Sequence, residues 1–313
     1  MTIRNISDTA RWVAMYRAIE SARPDALFND PYALRLAGER GAAIVETLPQ
    51  GRQAGWSMVV RTCVFDEIIL RLVHGGPGGR EPVAAVLNLA CGLDTRPYRL
   101  ALPATLRWIE VDLPEILDSK EAELAAERPA CMLERVRLDL ADRAARRELL
   151  RRVSEGAGTG GTAGTVLVIT EGLLVYLRDS EVKELAADLA AQPAMRWWLL
   201  DIVSPLILRF LQRSWGKTLD AASAPLRFAP AGGTDFFRPL GWEAAEFRPF
   251  LVEAQRLHRE MRASWWRRML GWLTPGLRRD IQRAGTALLE QAAAGPGSAN
   301  AGAATTGVAT AER

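Results

Sequence analysis

Two kinds of apolar patterning divide this chain. The N-terminal part carries helical spacing: Trp12, Val13, Tyr16 and Ile19 form a stripe over 9–20, and Val60, Val64, Ile68 and Leu72 form another over 57–74. Between them, Asn29-Asp30-Pro31 reads as a helix start, with Asp30 as cap and Pro31 at the first helical position. Gly38 and Gly41 read as the end of that short helix. From Val83 the pattern changes to short unbroken apolar runs, the mark of strands buried on both faces. Such runs cover 83–89, 106–112, 133–138, 166–170 and 197–202. Helical segments at 114–127, 142–153 and 180–191 separate them, so a parallel, doubly wound α/β sheet follows. A helix at 205–214 and a Pro/Gly-rich loop at 225–239 come next. Strands at 242–247 and 286–289, with a helix between them, complete a mostly parallel seven-stranded sheet.

The division predicts three parts: a helical cap over residues 1–80, a core over 81–291 and a tail over 292–313. The cap is long for a bare nucleotide-binding fold and is expected to cover a substrate. The tail is built of Ala, Gly, Ser and Thr with almost no core residues, and is expected to be disordered. The glycine-rich stretches 75–79 and 156–164 read as flexible connections.

Composition narrows the function. With 49% apolar residues in 313, the chain can bury a large core, and a net charge of +3 argues against a nucleic-acid partner. Cys63, Cys91 and Cys131 are odd in number and far apart, so neither a disulfide framework nor a metal site is expected and a cytoplasmic location is. The polar N-terminus lacks a signal-peptide core, and no apolar run reaches the ~18 residues of a membrane span. Oligomeric state is left open.

The chemistry centres on 83–100. The first strand breaks at Ala90-Cys91-Gly92, where small residues permit a tight turn and close ligand approach, and Asp94 or Thr95 can cap the next helix. Ligands of such sheets bind beyond the carboxyl ends of the strands, which makes the polar residues there informative. Strand one ends at Gly92 and Asp94, strand two at Asp112, strand three at Asp139 and strand four at Glu171. Asp112 lies 20 residues beyond Gly92, where an acid can accept both ribose hydroxyls, and Asp139 suits an adenine amino group. Neither a Gly-x-Gly-x-x-Gly turn nor a P-loop occurs, so pyrophosphate and triphosphate ligands are disfavoured. Adenosine without phosphates fits the set, and S-adenosylmethionine is such a ligand.

Leu89-Ala-Cys-Gly-Leu-Asp-Thr-Arg-Pro-Tyr-Arg-Leu100, Glu110-Val-Asp-Leu-Pro114, Asp139-Leu140 and Glu171-Gly-Leu-Leu-Val-Tyr-Leu177 together resemble the leucine carboxyl methyltransferase family. The closer resemblance is to its bacterial polyketide-type O-methyltransferase branch, which Ser21-Ala-Arg-Pro-Asp-Ala-Leu-Phe-Asn-Asp-Pro31 and Arg61-Thr62 also match. The resemblance runs from about 10 to about 290 and implies a Rossmann-like class I methyltransferase using S-adenosyl-L-methionine. It would place Arg61 on the cofactor's carboxylate, Gly92 against its methionine part, Asp112 on the ribose, Asp139 and Leu140 at the adenine, and Glu171 near the amino-acid end. Arg61 comes from the resemblance alone; its pattern otherwise reads as a solvated helix residue. Cys91 departs little from the family and reads as a small loop residue.

The expected reaction is in-line methyl transfer to an oxygen, the enzyme supplying orientation and desolvation. The expected acceptor is a carboxyl or hydroxyl group of a small secondary metabolite; a protein C-terminal carboxylate is the second reading. An ionised carboxylate needs no general base, whereas a hydroxyl does. His74 and His258 read as surface or structural residues, and Tyr176 is the one candidate for a catalytic or substrate contact. Rival classes fit less well. A nicotinamide-dependent oxidoreductase lacks its glycine fingerprint, and a non-catalytic binding protein leaves the acid set unexplained. The hydrolase-like Gly55-Trp-Ser-Met-Val59 lacks the closing glycine and precedes the sheet. Trp265–Leu273 reads as a helix packed on the core, with an interfacial membrane helix as the alternative; stable membrane insertion is not expected.

Overall fold

The computed structural model describes residues 6–47, 55–75, 81–158, 164–221, 224–260 and 275–292. Three helices come first: α1 (Ile6–Ser21), α2 (Ala33–Thr47) and α3 (Trp56–Val73). Strand and helix then alternate through β1 (Ala85–Leu89), α4 (Arg96–Arg99), β2 (Arg107–Asp112), α5 (Pro114–Leu124), β3 (Met132–Arg137) and α6 (Arg143–Glu155). Next are β4 (Val166–Thr170), a 3-10 turn at Leu174–Tyr176, α7 (Asp179–Ala190), β5 (Trp197–Ile202) and α8 (Pro205–Ala221). A 3-10 segment at Gly233–Leu240, β6 (Trp242–Pro249), α9 (Phe250–Arg256), α10 (Pro275–Gln282) and β7 (Gly285–Gln291) close the fold.

The seven strands form one sheet in the order β3-β2-β1-β4-β5-β7-β6. β1 to β5 pair in parallel, and β7 runs antiparallel between β5 and β6. From β1 the chain winds outward through β2 and β3, then returns to β4 on β1's other side. The order therefore reverses between β1 and β4, where parallel sheets open a crevice at the carboxyl edge.

The unbroken apolar runs are explained by burial on both faces. Leu87, Ile109, Val168 and Trp198 join one core cluster with residues of α6 and α7, while Val86, Trp108, Leu167 and Leu199 join another with α3. Adjacent strand residues point to opposite faces, so both phases must be apolar. β3 is one edge of the sheet, and its Met132 is 59% exposed.

Several expected features take a different form. Assigned by its pattern to the cap, α3 packs on the sheet instead, with Val60, Val64, Phe65, Ile68 and Ile69 buried against β-strand residues. α1 and α2 pack chiefly on each other. α2 starts at Ala33 rather than Pro31; its helical geometry breaks at Gly38 (φ 58°), where the sequence placed the end, and a second helical stretch runs on to Thr47. Gly41 is where α1 comes close: a Cβ there would lie 2.7 Å from the Arg11 carbonyl oxygen. α8 runs seven residues past the expected 214, and part of the expected 225–239 loop is the 3-10 segment. The tail beyond 292, the Trp265–Leu273 segment and most of the two glycine-rich connections lie outside the described residues. No described helix is long and apolar enough to cross a membrane.

Candidate active site

The β1 turn carries two left-handed residues, Ala90 (φ 53°) and Gly92 (φ 50°). A Cβ on Gly92 would meet only Ala10 of α1, at 3.4 Å, so conformation rather than crowding selects glycine there. Two backbone donors converge on the buried Asp112 at the end of β2. Gly92 N–H donates to Oδ2 (2.7 Å) and Leu113 N–H to Oδ1 (2.8 Å). Each oxygen keeps capacity for another donor. Burial raises the Asp112 pKa above its ordinary value, outweighing those two N–H groups. The neighbouring β3 ends one residue short of Leu138, whose N–H donates to the Asp112 carbonyl (2.9 Å). Asp139 follows, exposed, with Oδ1 accepting from Ala141 N–H (2.9 Å). Leu140 is half-buried against the core, and its carbonyl accepts from Arg146 (2.6 Å).

On the other side of the reversal lies a web of ion pairs. Arg61 is buried, with Nε donating to Glu171 (2.9 Å) and Nη1 to Asp201 (3.1 Å). Glu171 gives its second oxygen to Arg96 (2.7 Å), which also reaches Asp94 (2.9 Å) and Asp66 (2.6 Å). Asp66 holds Arg99 through both oxygens (2.6 and 2.9 Å). Arg99 approaches Asp30 (3.9 Å), which Arg17 grips (2.8 Å) while donating to the Leu93 carbonyl (2.6 Å). Burial works against each charge, yet the arginine partners hold Glu171, Asp94 and Asp30 below their ordinary pKa values. Burial likewise opposes the charge on Arg61 and Arg96, and their carboxylates raise both pKa values regardless.

Four of the six sequence-chosen cofactor positions thus fall in two short runs at one rim. Arg61 touches Glu171; Gly92 touches Asp112; the Arg96–Asp94 pair links the runs, two residues from Gly92. Asp139 and Leu140 connect only through the main chain at Leu138. Asp94 turns inward, accepting from Asn88 (2.8 Å) and from the Arg96 N–H (2.9 Å). It is therefore the side-chain cap of α4, because Thr95 donates to Asp30 (2.7 Å) instead. Sequence reasoning missed Asp201, Arg96, Asp66 and Asp30. Asp201 had a signal, since Trp197-Trp-Leu-Leu-Asp201 is an apolar strand ending in an acid like the others. Asp30 and Arg96 stood in stretches that carry the family resemblance, Asp30 as a helix cap, and only Asp66 had no signal at all.

Tyr176 sits in the 3-10 turn after β4, half-buried, its hydroxyl meeting Thr9 of α1. Burial raises its pKa, with the nearby Arg61 opposing. Around the turn, Met15, Met58, Leu208, Leu211 and Trp215 are only partly buried. Burial pushes the Cys91 thiol well up, so it is protonated at neutral pH. His74 lies at the far end of α3, its Nε2 2.8 Å from the Ala101 carbonyl oxygen, and His258 is exposed after α9. No group of His, Cys, Asp and Glu among the described residues could hold a metal ion. A cleft of about 380 Å³ opens on the outer side of the web, lined by Phe28, Cys63, Asp66, Leu70, Arg99 and Leu257 among others. None of the cofactor positions lines it.

Comparison with known proteins gives an independent reading. A model of the family described as leucine carboxyl methyltransferase matches residues 10–190. A protein of Frankia alni named "Putative S-adenosyl-L-methionine-dependent methyltransferase" is 32% identical over 272 residues, covering 79% of this chain and 90% of that protein. A Streptomyces coelicolor protein of the same description is 36% identical over 196 residues, 59% of this chain and 65% of the relative. Among solved structures, a DUF574 family protein from Streptomyces avermitilis superposes with a TM-score of 0.55 at 15% identity, over 90% of this chain and 97% of that one. A Thermobifida fusca protein described as "a putative methyltransferase" gives 0.55 at 14% identity, over 93% of this chain and 96% of that one. At these identities the structural likeness is one of fold.

Proposed function

Because the chain belongs to the leucine carboxyl methyltransferase family, we propose that it is an S-adenosyl-L-methionine-dependent O-methyltransferase acting on the carboxyl group of a small secondary metabolite. The residues at the rim fit the cofactor. Asp112 has acceptor capacity on both oxygens for ribose hydroxyls, and Arg61 Nη2 makes no hydrogen bond among the described residues. The left-handed Gly92 exposes backbone without a side chain beside them. Bound S-adenosylmethionine supplies an electrophilic methyl group on a sulfonium. Arg61 would hold the amino-acid carboxylate, Gly92 would face the methionine part, and Glu171 would keep Arg61 in place. Asp112 would take the ribose, with Asp139 and Leu140 at the adenine.

What supports a carboxylate acceptor is the set of partners that the rim acids already hold. Glu171 and Asp94 spend both oxygens on arginine, amide or backbone donors and are held below their ordinary pKa values. Tyr176 is held in the phenol form. Both His residues lie elsewhere. No described group beside Arg61 is thus poised to take a proton at neutral pH, which a neutral hydroxyl acceptor would require. An ionised carboxylate needs orientation and a dry site only. The partly buried apolar groups around Tyr176 support an acceptor with an apolar body rather than a polar peptide tail.

Labelled methyl transfer to pooled carboxylic acids and phenols tests this directly. A methyl ester releases volatile methanol on mild alkali, whereas an ether keeps its label; alkali-stable product would sink the carboxylate reading. Asp112→Ala is expected to weaken S-adenosylhomocysteine binding by about tenfold or more, read by calorimetry.

A further inference from the structure

In the proposed cofactor site Glu171 does not hold Arg61 alone. Its guanidinium is gripped on two sides by acids from neighbouring strands. Glu171, just past β4, takes Nε at 2.9 Å, and Asp201, in β5, takes Nη1 at 3.1 Å. Asp201 does a second thing: its other oxygen accepts the Gly172 N–H at 2.6 Å. One buried carboxylate therefore ties the arginine to the turn that follows β4.

That turn is shaped around the arginine. Gly172 has φ +67°, a conformation L side chains rarely adopt. A Cβ there would lie 3.2 Å from Arg61 Nη1 and 3.5 Å from Nη2, tighter than ordinary contact at the first atom. The guanidinium thus rests on a surface with no side chain. Two of its nitrogens are bound at its edges, and Nη2 is left without a hydrogen-bond partner among the described residues.

We propose that Asp201 and Gly172 form one positioning unit for Arg61, extending the cofactor's amino-acid subsite to the end of β5. The idea rests on the reading above that Arg61 receives the cofactor's carboxylate. Neither residue touches the ligand; both act by fixing the direction of Nη2. Charge alone does not explain the arrangement, because Glu171, Asp94 and Asp66 already set three carboxylates against Arg61, Arg96 and Arg99 without Asp201. Three fixed contacts on one planar group instead fix its orientation.

The test must separate orientation from charge and from general damage. Asp201→Glu keeps the charge and moves the carboxylate by one methylene; Gly172→Ala keeps every charge and crowds Nη1. The probes are S-adenosylhomocysteine and its decarboxylated analogue, which differ only in the carboxylate. Calorimetry gives the ratio of their dissociation constants in each protein. A charge-assisted contact predicts that the wild type prefers S-adenosylhomocysteine by about tenfold or more. In both variants that preference is expected to fall to about threefold or less, with the decarboxylated analogue bound nearly as in wild type. Thermal melts confirm that each variant is folded. An unchanged ratio in folded Asp201→Glu and Gly172→Ala proteins overturns the proposal, and so does an equal loss for both ligands, which marks a merely structural role. A wild type that binds S-adenosylhomocysteine without preference removes the carboxylate contact at Arg61 on which the proposal rests. A wild type that binds neither ligand removes the cofactor reading as well.

Discussion

Asp112 and Glu110 show how one strand can carry both a proposed ligand group and a structural charge. Asp112 ends β2 with acceptor capacity to spare, while Glu110, two residues earlier on the same face, is fully buried. Glu110 accepts from Lys120 (2.6 Å) and from Arg135 (2.9 Å). The asymmetry of that cluster predicts unequal mutant effects. Glu110→Leu strands a buried ammonium and is expected to destabilise by about 3–5 kcal/mol. Lys120→Met leaves Glu110 with Arg135 and should cost no more than about half as much. Urea unfolding of the two variants measures the difference. Ala90 carries its own strain, because a non-glycine residue at φ 53° costs about 1–2 kcal/mol. Ala90→Gly is expected to be neutral or stabilising by about 1 kcal/mol in the same assay, since relief of strain is offset by the greater entropy of an unfolded glycine.

Among the elements, α1 has the largest influence on the rim. Its Ala10 covers Gly92, its Thr9 meets Tyr176, and its Arg17 binds both Asp30 and the carbonyl of Leu93. Asp30, in the turn before α2, joins α1 to the β1–α4 turn by also accepting from Thr95. Asp30→Ala leaves Arg17 buried without its counter-charge and is expected to cost about 3–5 kcal/mol in an equilibrium melt. The same variant should weaken S-adenosylhomocysteine binding more than its stability loss explains at a temperature where it stays folded. Equal binding there would mean that α1 does not shape the site. The existence of α1 and α3 was legible from spacing, but their roles were not. Both show apolar stripes, and a stripe does not say whether it faces a sheet or a neighbouring helix. α3 is buried nearly all round because it lies between the sheet and other elements, and its Arg61 and Asp66 are buried with it.

Across the carboxyl edge of the sheet, acidification separates two events. Glu171, Asp94 and Asp30 have lowered pKa values in the fold, so their stabilisation is present above the ordinary carboxylate pKa and disappears as pH falls through the lowered values. Asp112 has a raised pKa, so its contribution is full below its ordinary pKa and is lost as pH rises through the folded value. Ribose hydroxyls would donate to its ionised form, so affinity should fall as pH drops through that raised pKa. As pH falls, S-adenosylhomocysteine binding is therefore expected to weaken while the circular dichroism spectrum is still native. Loss of both together would place binding elsewhere than Asp112. The succession of strands along the chain, the Ala90–Gly92 turn and the acids that end β1, β2 and β4 were all readable from the chain alone. Each rests on neighbouring residues: an apolar run, then small residues, then a carboxylate. Which acids remain available and which are held by arginine was decided only by folding. Arg61 and Asp201 are 140 positions apart, and nothing local to either says that strand order will bring them to 3.1 Å.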